Sequence, residues 1–379
     1  MSEVEISIQQ VFAGLEDPRV VGRTAHKLID IIIIAICATI CGAEGWVEVE
    51  MFGEAKETWL RQFLELPNGI PSHDTFGRVF RQLDAKAFQQ HFNRWVKRVF
   101  TVTKGELVAI DGKTVRRSYD NATGKEAIHM VSAWAQHNGL VLGQLKTDEK
   151  SNEISAIPEL LEQLYVKGCI VTLDAMGCQK DIARTIVERG ADYVLPVKGN
   201  QGHLQTDLQD WFDYAQQTNF EKTPHTYAQT VNKGHGRIEV RECWAIDDPH
   251  AFEYIRHYEG WTNLRSIALV RRERRISDQI TVQTQLYISS LPADAECILD
   301  CSRHHWAIEN SLHWVLDVVF HENAARNRLD HSAENLTVLR HIALNLLKQT
   351  PTRKKTSVKG KRFKAGLDND FLLQVLTQV

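Results

Sequence analysis

No stretch of this 379-residue sequence is apolar for long enough to cross a bilayer. The greasiest segment, Ile31 to Cys41, is roughly half the length of about 20 residues that a membrane-spanning helix needs. It is therefore expected to be a buried core element, and no membrane is expected as a partner. A basic excess is also missing: the formal net charge is −3, so any surface that attracts polyanions must be local. No signal peptide is apparent, and the seven cysteines are an odd number. They read as reduced thiols in a cytoplasm. Cys297 and Cys301 lie one helical turn apart, but no second Cys/His pair completes a zinc site. A Ser/His/Asp triad motif is absent too, which leaves side-chain nucleophiles without support. What remains is an ordinary globular composition, 43% hydrophobic and 25% charged, long enough for two or three domains.

Two short apolar runs organise the chain. Glu106 to Ile110 is rich in β-branched residues and leads into Asp111-Gly112-Lys113. Gly168 to Leu173 repeats the pattern and leads into Asp174. An aspartate where a buried strand emerges is held by a rigid element and still reaches solvent, as a metal ligand must. The default reading of one such aspartate is a turn; two predict neighbouring strands that deliver oxygens to one point.

The first hundred residues read as helical. Leu28 to Ile40 is apolar all round, as in the interior of a bundle. Trp46 to Phe63 is a second helix. Pro71-Ser72-His73-Asp74-Thr75 marks another start, with Ser72 as N-cap, and the helix that follows carries Arg78 and Arg81. It could enter a DNA groove or simply lie on the bundle. Asp84 to Val99 is a fourth helix, and Thr101 to Gly105 is the expected boundary.

From Glu106 the order becomes three strands, helix, strand, helix, strand. Residues 127–136 and 140–147 form a hairpin about His137-Asn138-Gly139, and helices are expected over 154–165 and 178–189. This is the element order of the ribonuclease H-like fold, in which the ends of the first and fourth strands lie side by side. A β-rich insertion is expected at about 202–290, with strands at 226–231, 237–246, 264–271 and 280–289. After Pro292 a helix places Ile298, Cys301, His305, Ile308, Leu312 and Val315 on one apolar stripe. Glu309 at its edge is the candidate third carboxylate. On an ideal helix Asp317 lies about 80° around and about 12 Å along from it. Asp317 is expected to pair with Arg326 or Arg328, and Glu322 to sit in a mobile loop.

Several segments together carry a resemblance. They are Ile110-Asp111-Gly112-Lys113, Leu173 to Gln179, Tyr193 to Gln201, Gly234 to Glu239, His305 to Trp314 with Leu316-Asp317-Val318, and the 71–75 box. In them the chain resembles the DDE transposases of bacterial insertion sequences, in the H-repeat-associated (Rhs-element-associated) branch. The resemblance spans about residues 8 to 348. It implies three regions: a helical N-terminal domain over 1–104, a candidate for DNA-end recognition; a ribonuclease H-like catalytic domain over 105–348; and a basic C-terminal tail with a short helix over 349–379. It implies cutting and joining of DNA at the element's ends. Asp111, Asp174 and Glu309 would hold two ions of Mg²⁺ or Mn²⁺, since hard cations take oxygen ligands. The implied partners are duplex DNA at terminal inverted repeats, target DNA and, at the ends, a second copy of the chain, in a bacterial cytoplasm at the nucleoid. Lys113, Lys198, Asn200, His235, Arg237, Arg241 and His313 are candidate DNA contacts. So are Arg116 and Arg117, the group Arg271, Arg272, Arg274 and Arg275, and the seven basic residues between Pro351 and Lys364. Two departures stand out. Ser302, His305 and Leu316 occupy positions where the wider superfamily often has tyrosine, arginine and lysine, and Glu322-Asn323 replaces the branch's Glu-Asp. A nuclease without strand transfer and an inactive or domesticated DNA-binding relative are the alternatives.

Overall fold

In the computed structural model, which describes residues 7–377 apart from 21, 23, 100–103, 120–123, 125, 148–152 and 235, nine strands form one sheet. They are β1 (Leu107–Thr114), β2 (His129–Ala135), β3 (Leu140–Lys146), β4 (Ile170–Thr172), β5 (Asp192–Val197), β6 (Thr226–Gly234), β7 (Arg237–Ile246), β8 (Ser266–Ile276) and β9 (Gln279–Ser289). Their order across the sheet is β3-β2-β1-β4-β5-β9-β8-β7-β6. Only β1–β4 and β4–β5 run parallel; the other neighbours are antiparallel.

The helices are α1 (Ser7–Phe12), α2 (Leu28–Cys41), α3 (Trp46–Leu60), α4 (His73–Gln82), α5 (Ala85–Val99), α6 (Glu153–Gln163), α7 (Lys180–Glu188), α8 (Gly202–Gln217), α9 (Pro249–Tyr254), α10 (Ala295–His305), α11 (Trp314–Val318), α12 (Ser332–Gln349), α13 (Val358–Leu367) and α14 (Asn369–Thr377). The expected insertion needs two corrections. Its strands are not a module of their own, because β9 bonds to β5 from Val194–Ser289 to Val197–Leu286 and so continues the same sheet. It also begins with a helix. In α8 the side chains of Leu204, Leu208, Phe212 and Ala215 recur at spacings of four, four and three and are all buried, a helical stripe that the strand reading of this region passed over. A smaller correction concerns Ser72. It precedes α4 in extended geometry but caps no backbone N–H; its hydroxyl faces that of Thr75 at 3.2 Å.

Helices from both ends of the chain share one core. Ile31 to Ile40 of α2 are buried, packed against α3, α12 and α13. No single helix among the described residues is long and apolar enough to cross a membrane. The basic tail is a structured closure. Lys361, largely buried, donates to the carbonyls of Leu347 and Thr350, each at 2.7 Å, and so satisfies the C-terminal end of α12. Arg362 donates to Thr39 O at 3.0 Å and to Val319 O, with its guanidinium over the Phe320 ring. Burial holds both groups below their usual pKa, Arg362 at about 10. Two of the seven expected DNA-facing charges are thus structural.

At the sheet edge, α12 covers β3. Asn345, fully buried, accepts from Val141 N–H at 2.8 Å and donates to Val141 O at 2.9 Å. Its amide pairs with the exposed edge as another strand would. Asn345→Leu keeps the bulk but orphans both backbone groups, at about 1–3 kcal/mol each. Urea unfolding of the variant should show a loss of that order, and an unchanged midpoint would mean that water replaces the amide.

Candidate active site

The parallel pairing of β1 with β4 runs only from Leu107–Ile170 to Ala109–Thr172. Beyond it β1 continues to Thr114, bonded to β2 alone, with Asp111 opposite Ser132. Asp111 is therefore not at the end of its strand, as expected, but where the strand has outrun its neighbour. On the freed side β4 has already turned. Asp174 caps the short 3₁₀ turn Ala175–Gly177, its Oδ1 accepting from Gly177 N–H at 3.0 Å. Asn200 steadies that turn, donating to Ala175 O at 2.7 Å.

The third carboxylate stands on a helix that changes pitch. The stripe Ile298, Cys301, His305, Ile308, Leu312 and Val315 is buried throughout. Between α10 and α11, however, Glu309–His313 forms a π-helical turn that opens at Glu309. Such turns are rare and concentrate at functional sites. The 100° reckoning that separated Asp317 from Glu309 therefore fails. Glu309, His313 and Asp317, at spacings of four, all act on β1. The charge of Glu309 is felt at Asp111, His313 Nδ1 lies 3.6 Å from Asp111 Oδ2, and Asp317 Oδ1 lies 2.7 Å from Lys113 Nζ.

A fourth carboxylate, absent from the sequence reading, joins them. Glu153, at the start of α6, accepts from His129 Nε2 at 2.8 Å, and His129 Nδ1 faces Thr114 Oγ1 at 2.9 Å. A Cβ on Gly112 would meet Glu153 Oε1 and His129 Nε2 at 2.2 Å, so only glycine after Asp111 leaves room for this pair. An acid in the first turn of a helix is ordinarily a partner for the helix dipole, which is why its sequence signal is weak.

Burial pushes the Asp111 carboxyl up to about 7, and the negative charges of Glu153, Asp174 and Glu309 push the same way, against the Gly112 N–H. Because this acid is harder to ionise folded than unfolded, its contribution costs stability as pH rises from 3.8 towards about 7. A cation among the carboxylates would offset that cost. Burial and the nearby Lys113 charge hold His313 near pKa 4, so it is neutral at pH 7. It is a partner of Asp111 and not a surface contact for phosphate.

Lys113 is likewise turned inward. Its ammonium, 10% exposed, bridges Asp317 and Glu322, each at 2.7 Å. Glu322 is 1% exposed and faces Arg340 at 3.6 Å. The expectations for Glu322 and Asp317 are overturned: Glu322 lies in the core and not on a mobile loop, and Asp317 pairs with Lys113 and not with Arg326 or Arg328. Asn323 Oδ1 accepts from Arg116 N–H at 3.0 Å, a bond that the aspartate usual in the branch could equally make.

Lys198 is exposed at the mouth of a cavity of about 220 Å³ that also borders Asp174, Met176, Arg272, His305 and Trp306. At its floor Arg272 donates to Ser302 Oγ at 2.6 Å, and His305 Nδ1 meets Thr172 Oγ1 at 3.1 Å. These bonds account for two of the departing positions. Five of the insertion arginines are engaged in ion pairs on β7 and β8. Arg237, Arg241 and Arg274 share Glu239, while Arg271 and Arg275 are paired with Glu242 and Glu273. His235 lies outside the described residues.

Residues 102–346 match the family described as Transposase DDE domain, and residues 9–96 match the family described as DDE_Tnp_1-associated. The chain belongs to the DDE transposase family. This transposase is 40% identical to "Putative transposase YncI" of Escherichia coli O157:H7 over 98% of its own length and 94% of that protein. It is also 40% identical to "H repeat-associated putative transposase YhhI" of Escherichia coli K12, over 96% of this chain and 95% of the other. "Putative protein YbfL" of the same strain is 39% identical over similar shares. The family implies divalent metal in general. The donors fit in kind: four carboxylates, three of which repel Asp111, and no Lys or Arg paired with Asp111, Asp174 or Glu309 among the described residues. They converge without closing. Among the described residues no three His, Cys, Asp or Glu side chains stand as a ready-made metal cluster, as expected of like charges that only a cation would draw together.

Proposed function

We propose that the chain is an insertion-sequence transposase that cuts DNA at the ends of its element and joins the freed 3′ ends to target DNA. The observation that carries this reading is the placement of Asp111 where β1 has outrun β4, partly buried and within reach of the charges of Glu153, Asp174 and Glu309, in a chain of the DDE transposase family. Asp111, Asp174 and Glu309 would hold two divalent ions, Mg²⁺ or Mn²⁺. When bound, the ions supply an activated water and a stabilised leaving oxygen.

The chain's own residues prepare the site. The rigid register of β1 with β2 fixes Asp111 centrally, the capped turn fixes Asp174, and the π turn aims Glu309. Neutral His313 crowds Asp111 without neutralising it, and Asp317 and Glu322 keep the Lys113 ammonium engaged. The strand order β3-β2-β1-β4-β5 with antiparallel β2 supports a ribonuclease H-like core within 105–348, following a helical N-terminal region. Lys198 and Asn200, beside the Asp174 turn, are the expected DNA contacts nearest the chemistry. Double-stranded terminal repeats and target DNA are the partners, with a homodimer on the paired ends, at the nucleoid in the cytoplasm.

The test is incubation with the element's end DNA and Mg²⁺, followed by mapping of cleaved and joined strands. Cleavage with joined product supports transposition. Cleavage alone marks the hydrolytic nuclease, and binding without cleavage marks the inactive relative.

A further inference from the structure

Eight of the 25 arginines lie in the insertion, and five of them are already engaged in ion pairs on β7 and β8. Glu239, Glu242 and Glu273 between them engage Arg237, Arg241, Arg271, Arg274 and Arg275. Arginines also gather on a surface formed by two distant parts of the chain. Between α4 and the segment 326–329 runs a groove of about 830 Å³ lined by Arg78, Arg81, Arg326 and Arg328. Asp74 is the one acid in that lining, and Asp330 pairs with Arg81 beside it.

We propose that this groove binds the phosphate backbone of duplex DNA. The proposal rests on the transposase reading and adds a site to it. Arg78 and Arg81 are one turn apart on α4, whose opposite face buries Phe76, Val79 and Phe80. Trp46 stacks on Phe76 and Phe80, with ring centroids 6.4 and 4.8 Å apart, so the helix presenting the arginines rests on a rigid floor. Arg81 is oriented by Asp330 at 3.1 Å. Arg328 is oriented by its bond to Arg117 O at 3.2 Å and by the Tyr119 ring 5.0 Å below its guanidinium. Arg78 and Arg326 are exposed, and neither forms an ion pair among the described residues. The exposed guanidinium forks of Arg78 and Arg326 are open to phosphate oxygens, with Arg81 and Arg328 held beside them.

The groove is also coupled to the carboxylate site. Glu322, four residues before Arg326, pairs with Lys113 two residues after Asp111. The segments after β1 and after α11 are stitched together by the Arg116–Asn323 and Arg328–Arg117 bonds. Phosphate contacts fix the position of DNA and carry no sequence information of their own.

The experiment measures binding of the full chain to a duplex oligonucleotide of arbitrary sequence across a salt series. The wild type is compared with the pair Arg78→Ala/Arg326→Ala, with Arg78→Lys/Arg326→Lys, and with Arg184→Ala, a surface arginine of α7 outside the groove. Each lost phosphate contact lowers the slope of log affinity against log salt by about 0.9. The double alanine variant should therefore lose roughly two units, while the lysine pair and Arg184→Ala keep the wild-type slope. Because both groove side chains are exposed, the melting temperature should stay unchanged. If the wild type binds and the double alanine variant keeps its slope, the groove assignment is overturned and the transposase reading stands. If the wild type binds no duplex, both fall.

Discussion

Glu309→Gln and Asp174→Asn should each reduce Mg²⁺-dependent cleavage of the element's end DNA by at least about a thousandfold, the scale of a lost catalytic electrostatic group. Both substitutions keep the shape and remove the charge that would hold a cation. Duplex binding should stay within a few-fold, because taking negative charge away from phosphates does not weaken attraction. Asp317→Asn is the informative companion. It sits two helical positions of four beyond Glu309, on the same side of the π turn, but its oxygen is committed to Lys113. It should retain measurable cleavage. Strand mapping on all three variants, with folding checked by thermal melts, decides the matter. A well-folded but inactive Asp317→Asn beside an active Glu309→Gln would transfer the third ligand's role to Asp317.

The second large effect is on stability. Glu322→Gln removes the carboxylate that Lys113 and Arg340 share in the core. Breaking a buried pair by deleting one partner costs about 3–5 kcal/mol, because a desolvated charge is left behind. Burial alone would raise the Glu322 pKa, but Lys113 and Arg340 outweigh it and hold the group below its usual 4.5. A depressed carboxyl stabilises the fold above its unfolded value and loses that contribution as pH falls through the folded one. The gap between wild type and Glu322→Gln should thus be full at neutral pH and narrow in acid below 4.5. Urea midpoints measured across that range test it, and a gap that is constant or widens in acid would mean that Glu322 is not the ionised partner. Lys113 keeps Asp317 as a partner in the variant, so the charge left without its carboxylate is chiefly that of Arg340.

What the sequence disclosed, and what it withheld, follows from the range of each interaction. The apolar runs before Asp111 and Asp174, the alternation of the hairpin and the buried stripe from Ile298 to Val315 are local patterns and are present, although β1 runs on past Asp111 to Thr114 and the stripe crosses a π turn. Non-local facts were hidden. The ladder from Glu239–Arg274 to Glu242–Arg271 depends on the register of β7 with β8, which pairs arginines with acids that the sequence shows only as separate clusters. Glu322 looks like a loop residue because its partners, Lys113 and Arg340, lie far away in the chain. Asp317 was misplaced because an ideal helix has no π turn. Glu153 escaped because the default role of an acid at a helix start is a good one. The candidate carboxylates Asp111, Asp174 and Glu309 were therefore visible in the sequence, and the contacts around them were not.

The shared core of α2 with α12 and α13 has a consequence for biosynthesis. The apolar run of α2 leaves the ribosome early, whereas the helices that cover it come from the last part of the chain, after on the order of 300 further residues. At about 5–20 residues per second this is tens of seconds during which α2, apolar apart from Asp30 and Thr39, has only near neighbours such as α3 to cover it. Lys361 and Arg362, which seal α12 and α2, are made long after α2. A nascent chain of this transposase is thus a client for holding chaperones until it is released. A frameshift anywhere before α13 would yield an aggregation-prone product and not a milder enzyme.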